Sequence, residues 1–254
     1  MATVITFANQ KGGVGKSETA KICSKFISSI KKTVITIDLD PQGNLTASYK
    51  AQQKYGTIYD VLTKNKPLLP CIQNTHMGKI VCSTPLLSGA DKALAGVGSE
   101  FLIQEAIKDV VDLDYIVIDS PPALGLLTIN ALAATDYLVI PAQADSYSLQ
   151  GIEQIMTTVE KVRKYCNPKL KVSGILLTRY NNRNNISQEM SKKFEIIAQK
   201  FGTKVFPKIR ECTAVKEATA RQIDLFSYAP KSNATVDYYN FLVEFFKGIN
   251  NDEK

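Results

Sequence analysis

Short apolar runs rich in β-branched residues alternate along the chain with longer stretches whose apolar positions recur at helical spacing. The short runs predict strands at residues 3–8, 33–37, 80–82, 115–118, 137–140, 172–177 and 204–206. The longer stretches predict helices at 16–30, 100–111, 126–134, 148–165, 187–201 and 234–249. In the helix from Ser187, the residues Met190, Phe194, Ile197, Ala198 and Phe201 fall on one face. Most of the strands are apolar on both faces, as buried parallel strands are. This alternation predicts an α/β fold, a doubly wound and mostly parallel sheet with helices on both faces. Ligands of such sheets bind at the carboxyl ends of the strands, so chemistry is expected there.

The first strand is followed by KGGVGKS, Lys11 to Ser17, and then by a helix. Strand, glycine loop and helix N-terminus in that order make a phosphate cradle. Gly12, Gly13 and Gly15 let backbone N–H groups approach phosphate oxygens without a Cβ in the way, and Val14 completes the loop. Lys16 is expected to reach the β- and γ-phosphates as a point charge, and the Ser17 hydroxyl to ligate Mg²⁺. The general pattern has glycine at the position of Gln10. This chain instead carries a second lysine, Lys11, at the start of the loop.

Two acids follow at strand ends. In Asp38-Leu39-Asp40-Pro41-Gln42-Gly43-Asn44, Asp40 is a candidate to position the attacking water and Asp38 to organise the Mg²⁺ shell. Asp and Pro are also common in purely structural strand-end turns. In Tyr115-Ile116-Val117-Ile118-Asp119, the terminal Asp119 is a candidate to hold a water on Mg²⁺. Ser120-Pro121-Pro122 stiffens the turn that follows.

Taken together, KGGxGK[ST], DLDPQGN and IVIDSPPALGLLTINAL resemble the deviant Walker A ATPases of the ParA/MinD family, and most closely the ParA and Soj proteins. The similarity extends from Thr3 to about Phe246. It implies ATP and Mg²⁺ as substrate and cofactor, with the whole of residues 1–254 forming one P-loop ATPase domain. It implies that Lys11 crosses a dimer interface to touch the partner's nucleotide, and that Asp40 is needed for hydrolysis. It places nucleotide contacts at Arg179 on one wall and at Pro207 and Ile209 on the other. One position departs from the family. Glu18 stands where a Thr usually binds the α-phosphate, although its backbone N–H remains. A carboxylate there is repelled unless it turns to solvent or pairs with a cation, so nucleotide binding is expected to weaken and Glu18→Thr to tighten it.

Composition adds a charge argument. The chain of 254 residues carries a net charge of +7. Such a balance favours nucleic acid or an anionic membrane surface as partner. Lys192, Lys193, Lys200, Lys204, Lys208, Arg210, Lys216, Arg221 and Lys231 concentrate in the second half. They are either a solvated face or a phosphate-binding surface completed when two subunits join. Five scattered cysteines without a CxxC pair read as core residues in a reducing compartment. The single histidine, His76, reads as a loop residue, which leaves histidine-based metal or triad chemistry nothing to build on. No run is long and apolar enough to span a membrane, and no secretory signal is evident. The polar residues 250–254 are expected to fray.

The resulting expectation is a cytoplasmic, nucleoid-associated partitioning ATPase. It would dimerise on ATP, coat DNA non-specifically and be stimulated by a ParB-type centromere-binding protein. No helix-turn-helix extension precedes the loop, so operator binding by that route is not expected. The main rival is a MinD-type ATPase cycling on membrane. It would need a free basic amphipathic helix at the C-terminus, whereas the apolar face of Tyr239, Leu242, Val243, Phe246 and Ile249 is expected to pack on the core. An iron–sulfur electron carrier would need cysteines in a motif context that this chain lacks. A nucleotide-bound scaffold without useful turnover is favoured by Glu18 alone.

Overall fold

The β-branched runs pair into a single sheet. The computed structural model describes residues 2–94 and 96–252. Among the described residues the strands are β1 (Thr3–Phe7), β2 (Val34–Asp38), β3 (Ile72–Thr75), β4 (Gly78–Val81), β5 (Tyr115–Asp119), β6 (Tyr137–Ala142) and β7 (Lys171–Leu177). Their order is β3-β4-β2-β5-β1-β6-β7. All neighbours are parallel except β3, which is antiparallel to β4. The helices are α1 (Lys16–Ser29), α2 (Asn44–Ser48), α3 (Ile58–Lys64), α4 (Ala90–Ala93), α5 (Leu102–Lys108), α6 (Leu126–Ala133), α7 (Ser146–Tyr165), α8 (Asn185–Lys200), α9 (Thr213–Arg221), α10 (Leu225–Tyr228) and α11 (Asn233–Asp252).

Alternation along the strands builds two layers of core. Ile5, Phe7, Val117 and Val139 face α1 and α11. Val4, Ile116, Ile118, Leu138 and Ile140 face the helices from α3 to α8 on the other side. Both faces are therefore covered, which is why the strands read as continuous apolar runs. Phe26, Phe206, Phe241, Phe245 and Phe246 form a ring cluster between α1, α11 and the sheet. Of the apolar face expected to pack on the core, Leu242, Phe246 and Ile249 are buried and Val243 is half-buried, whereas Tyr239 stays exposed with one edge of its ring against Phe26. No helix of the described residues is long and apolar enough to cross a membrane.

Several predicted elements are corrected. Residues 204–206 are not a strand; Val205 makes an isolated bridge to Ile175. The bridge is held by the Ile175 N–H on the Lys204 carbonyl and the Phe206 N–H on the Ile175 carbonyl, and the next bond, from the Ile209 N–H to the Leu177 carbonyl, falls one residue out of step, so no continuous ladder forms. The short helices α2, α3, α4 and α10, the helix α9 and the antiparallel strand β3 were not expected. β3 is too short and polar to show alternation. The helix expected at 100–111 opens with a 3₁₀ turn, Ser99–Phe101, and is α-helical only through Leu102–Lys108. The C-terminal segment expected to fray is helical to Asp252; Glu253 and Lys254 lie outside the described residues. His76 lies exposed in the β3–β4 turn, as expected of a loop residue, and its Nε2 meets the Gln222 carbonyl at 2.9 Å.

The entry to the sheet has an acid-sensitive fastening. Asp114 accepts the Thr33 N–H at 2.7 Å, the Thr33 hydroxyl at 2.9 Å and the Lys32 ammonium at 2.9 Å. The Thr33 N–H first, then Lys32, hold its carboxyl down at about 2. A pKa below the unfolded value stabilises the fold above roughly pH 4, and that contribution is lost as the pH falls through 2. Asp114→Asn is therefore expected to flatten the loss of stability between about pH 4 and 2. Denaturant melts across that range check it; an unchanged slope would contradict it.

Candidate active site

The loop between β1 and α1 meets the steric demands of a cradle. Gly13 and Gly15 have φ of 74° and 86°, the left-handed region. A Cβ at Gly12 or Gly13 would meet nothing within 4 Å, so the loop faces open space on that side. Its other side is pinned. The Thr178 hydroxyl donates to the Val14 carbonyl at 2.8 Å, and Gln143 Nε2 donates to the Gly13 carbonyl at 3.2 Å. Asn9 Oδ1 accepts the Lys11 N–H at 3.1 Å. Lys16 is buried, and its Nζ donates to the Lys11 carbonyl at 3.2 Å, leaving further donors for a ligand. Burial lowers its pKa, against the opposing pull of Asp119 and Asp40.

The acids stand at the carboxyl ends of neighbouring strands. Asp38 and Asp119 are register partners across β2 and β5, and both are wholly buried. Among the described residues Asp119 has no hydrogen-bond partner on either oxygen; the Ser17 hydroxyl lies beside it without closing a bond of ordinary geometry. Burial first, and Asp38 beside it, push its pKa well up. A buried carboxylate without a partner, next to a hydroxyl and a phosphate cradle, fits a hydrated divalent cation. Asp38 is differently placed. Its Oδ1 accepts the Asp40 N–H at 3.1 Å, and its Oδ2 accepts both the N–H and the hydroxyl of Thr46 at 2.7 Å. Burial pushes its pKa up to about 6. Those bonds tie the 38–46 turn together, so the geometry gives Asp38 an anchoring task beside the cation position. Asp40 is held by the Gln42 N–H at 3.0 Å, while its carbonyl accepts the Ser83 hydroxyl.

The loop glycines, Lys16, Ser17 and Asp40 line a cleft of about 700 Å³ that also includes Glu18, Gln42, Arg179, Lys216 and Thr219, while Asp38 and Asp119 are buried and do not line it. A smaller recess opens off it between Gly15, Glu18, Arg179, Ile209, Cys212 and Tyr238. Arg179 has φ of 50°, an uncommon conformation for a side chain of this size, and stands in both. Ile209 lines the recess, whereas Pro207 is exposed and lines neither cavity. A larger cavity of about 970 Å³ lies at the amino ends of β1, β5 and β6, and contains none of the candidate nucleotide- or metal-site residues.

Glu18 neither faces solvent freely nor points at the phosphate cradle. It pairs with Lys21 at 2.7 Å and accepts the Thr219 hydroxyl at 2.7 Å. Lys11, with its side chain 28% exposed, sits at the rim and pairs within its own chain with Asp145 at 2.5 Å. Asp145 also caps α7 through the Ser148 N–H at 2.8 Å.

The basic residues divide. Arg210 makes a two-pronged pair with Asp237 at 2.8 and 2.7 Å, with the Arg210 N–H on the same carboxylate. Lys193, Lys200 and Lys204 pair with Glu189, Glu153 and Glu244 at 2.8, 3.7 and 2.6 Å. Lys208 and Arg221 lie over the rings of Tyr180 and Tyr228. Lys192 and Lys231 are exposed, and among the described residues no carboxylate pairs with either. Asn9, Thr178, Gln143, Asp145, Thr46, Ser83 and Thr219 were not expected at the site. Apart from Asn9, whose Oδ1 takes the Lys11 N–H two residues on, each acts through a partner remote in sequence and carries no local signal.

Residues 2–172 match a family model described as an AAA domain. The chain is 34% identical over 251 residues to the sporulation initiation inhibitor protein Soj of Bacillus subtilis, spanning 96% of this chain and 98% of that one. It is 39% identical over 193 residues to the chromosome partitioning protein ParA of Myxococcus xanthus, spanning 74% of this chain and 68% of that one. Among solved structures, cobyrinic acid a,c-diamide synthase from Mycobacterium smegmatis with bound ADP and magnesium superposes with a TM-score of 0.84 at 27% identity. That likeness covers 98% of this chain and 96% of the other. These sequence matches span most of the chain, and the chain belongs to the ParA/Soj-type ATPases.

Proposed function

We propose that this chain partitions DNA, as a single ATPase domain over residues 1–254 that dimerises on Mg·ATP, holds duplex DNA non-specifically and releases it on hydrolysis. The observation that carries this is Lys11. It is a second loop lysine at the open rim of the cleft, held by one carboxylate of its own chain and able to leave it for a partner's nucleotide. Magnesium, when bound, would supply positive charge that offsets the phosphates. Lys16 binds the terminal phosphates, Ser17 and Asp119 hold the cation, and Asp40 orients the attacking water. Catalysis here is positioning and charge stabilisation. Hydrolysis acts as a timer, so basal turnover is slow and a ParB-type partner accelerates it. The working place is the nucleoid.

Lys11 leaves Asp145 more readily when that carboxylate loses its charge. Asp145→Asn keeps the helix cap. It is expected to lower the ATP concentration needed for dimerisation by a few fold, the size of a partly exposed ion pair. Analytical ultracentrifugation across an ATP titration reads this; an unchanged midpoint contradicts it.

The reading itself is tested by binding to a random DNA duplex with ATP, with ADP and without nucleotide, at several salt concentrations. Tight, salt-sensitive binding with ATP alone is expected. Lys192→Ala and Lys231→Ala should each lower the salt slope by about one. Arg210→Ala should act mainly on stability, because its charge is already spent on Asp237. Equal binding in all three states would reduce the positive charge to a passive property. Absence of binding would reject DNA as the cargo surface, and recruitment to anionic liposomes would then favour a membrane-cycling relative.

A further inference from the structure

Glu18 has surroundings that a phosphate-facing residue does not need. Its Oε2 takes the Lys21 ammonium and the Thr219 hydroxyl, both at 2.7 Å. Lys21 is almost wholly buried, and its Nζ also donates to Thr219 Oγ1 at 3.3 Å. The other oxygen, Oε1, is buried and has no donor. An ionised carboxylate can only accept, and a buried acceptor without a donor costs free energy that a ligand's donor recovers.

The position selects the donor. Glu18 borders both the cleft built on Gly12–Ser17 and the recess behind Arg179 and Ile209. A nucleotide with its phosphates on the loop and its base in the recess places its sugar at this junction. Phosphate oxygens at neutral pH offer no proton and are repelled by a carboxylate. Sugar hydroxyls donate. We propose that Glu18 accepts a hydrogen bond from a ribose hydroxyl of the bound nucleotide and so selects ribonucleotides over deoxyribonucleotides; this rests on the cleft being an ATP site. A turn of the whole carboxylate, with the flexible stem of Lys21 following Oε2, would present Oε1 to the cleft. Lys21 neutralises the carboxylate, which lets it stand close to phosphates.

The test is equilibrium binding of ATP, 2′-deoxy-ATP and 3′-deoxy-ATP, each with magnesium, to the full chain. At least one deoxynucleotide should bind about tenfold more weakly than ATP, the loss of one hydrogen bond to a charged acceptor. In the double variant Glu18→Thr, Lys21→Met, which removes acid and base together, all three should bind within about twofold of one another. If that variant fails to fold, Glu18→Gln combined with Lys21→Met keeps the shape of the side chain with a neutral acceptor and leaves no buried ion, and the ratio should fall below about threefold. Equal affinities in the wild type would overturn the proposal, and so would discrimination that persists in the variants. Failure of the wild type to bind ATP at all would overturn the ATP site itself, a separate result.

Discussion

Lys16→Ala is expected to abolish measurable ATP turnover, a loss of at least about a thousandfold. Lys16 is the buried ammonium of the cleft, and two carboxylates, Asp119 and Asp40, act on it. With it, a polyphosphate meets a cation at the closed end of the loop. Without it, the same phosphates meet uncompensated acids. Affinity should therefore fall together with rate, by about tenfold or more for the lost charge-assisted contact. Asp40→Asn provides the contrast. It removes a negative charge and the group that orients water, so turnover should fall by about a hundredfold or more while ATP binding persists. Single-turnover hydrolysis and nucleotide titration on the same preparations separate the two. Normal turnover in Lys16→Ala would remove this cleft as the site of hydrolysis.

What sequence reveals depends on how locally a function is written. The loop lysines, Ser17 and the strand-end acids are legible because a phosphate cradle and its cation need fixed residue types at short spacing after a strand. The apolar runs of β1, β2, β5 and β6 are legible because both faces of the sheet are covered. Groups that hold the loop are not legible in this way. Thr178 reaches Val14, and Asp145 reaches Lys11, only because β1, β6 and β7 lie side by side. The basic residues show the same limit. Nothing local distinguishes Arg210, neutralised by Asp237 on α11, from Lys231. One missed element did carry a signal. Thr57 and Asp60 form a reciprocal capping box at the start of α3, the Thr-x-x-acid pattern that marks a helix N-terminus.

Glu18 is the residue whose meaning changed most between sequence and structure, and it yields the largest expected effect on stability. Restoring the family's threonine looks favourable from the loop alone, since it returns a hydroxyl to the α-phosphate. In the folded chain Glu18 is the counter-ion of Lys21, whose side chain is 2% exposed. Glu18→Thr would leave that ammonium buried and unpaired, with Thr219 as its remaining contact. Breaking a buried pair from one side costs about 3 kcal/mol or more, because one charge is left without compensation. For a chain of this size that is a drop in melting temperature of roughly 6–12 °C. Lys21→Met is expected to cost less, because Glu18 keeps the Thr219 hydroxyl and is 14% exposed. Glu18→Thr combined with Lys21→Met should recover most of the loss, since no ion then remains buried. A double-mutant cycle by thermal melting isolates the coupling. Additive single losses would show that the two side chains do not support one another. A strong coupling would mean that the hydroxyl cannot be restored to the loop without also changing Lys21, three residues along α1, and that loop and helix must be substituted as a unit.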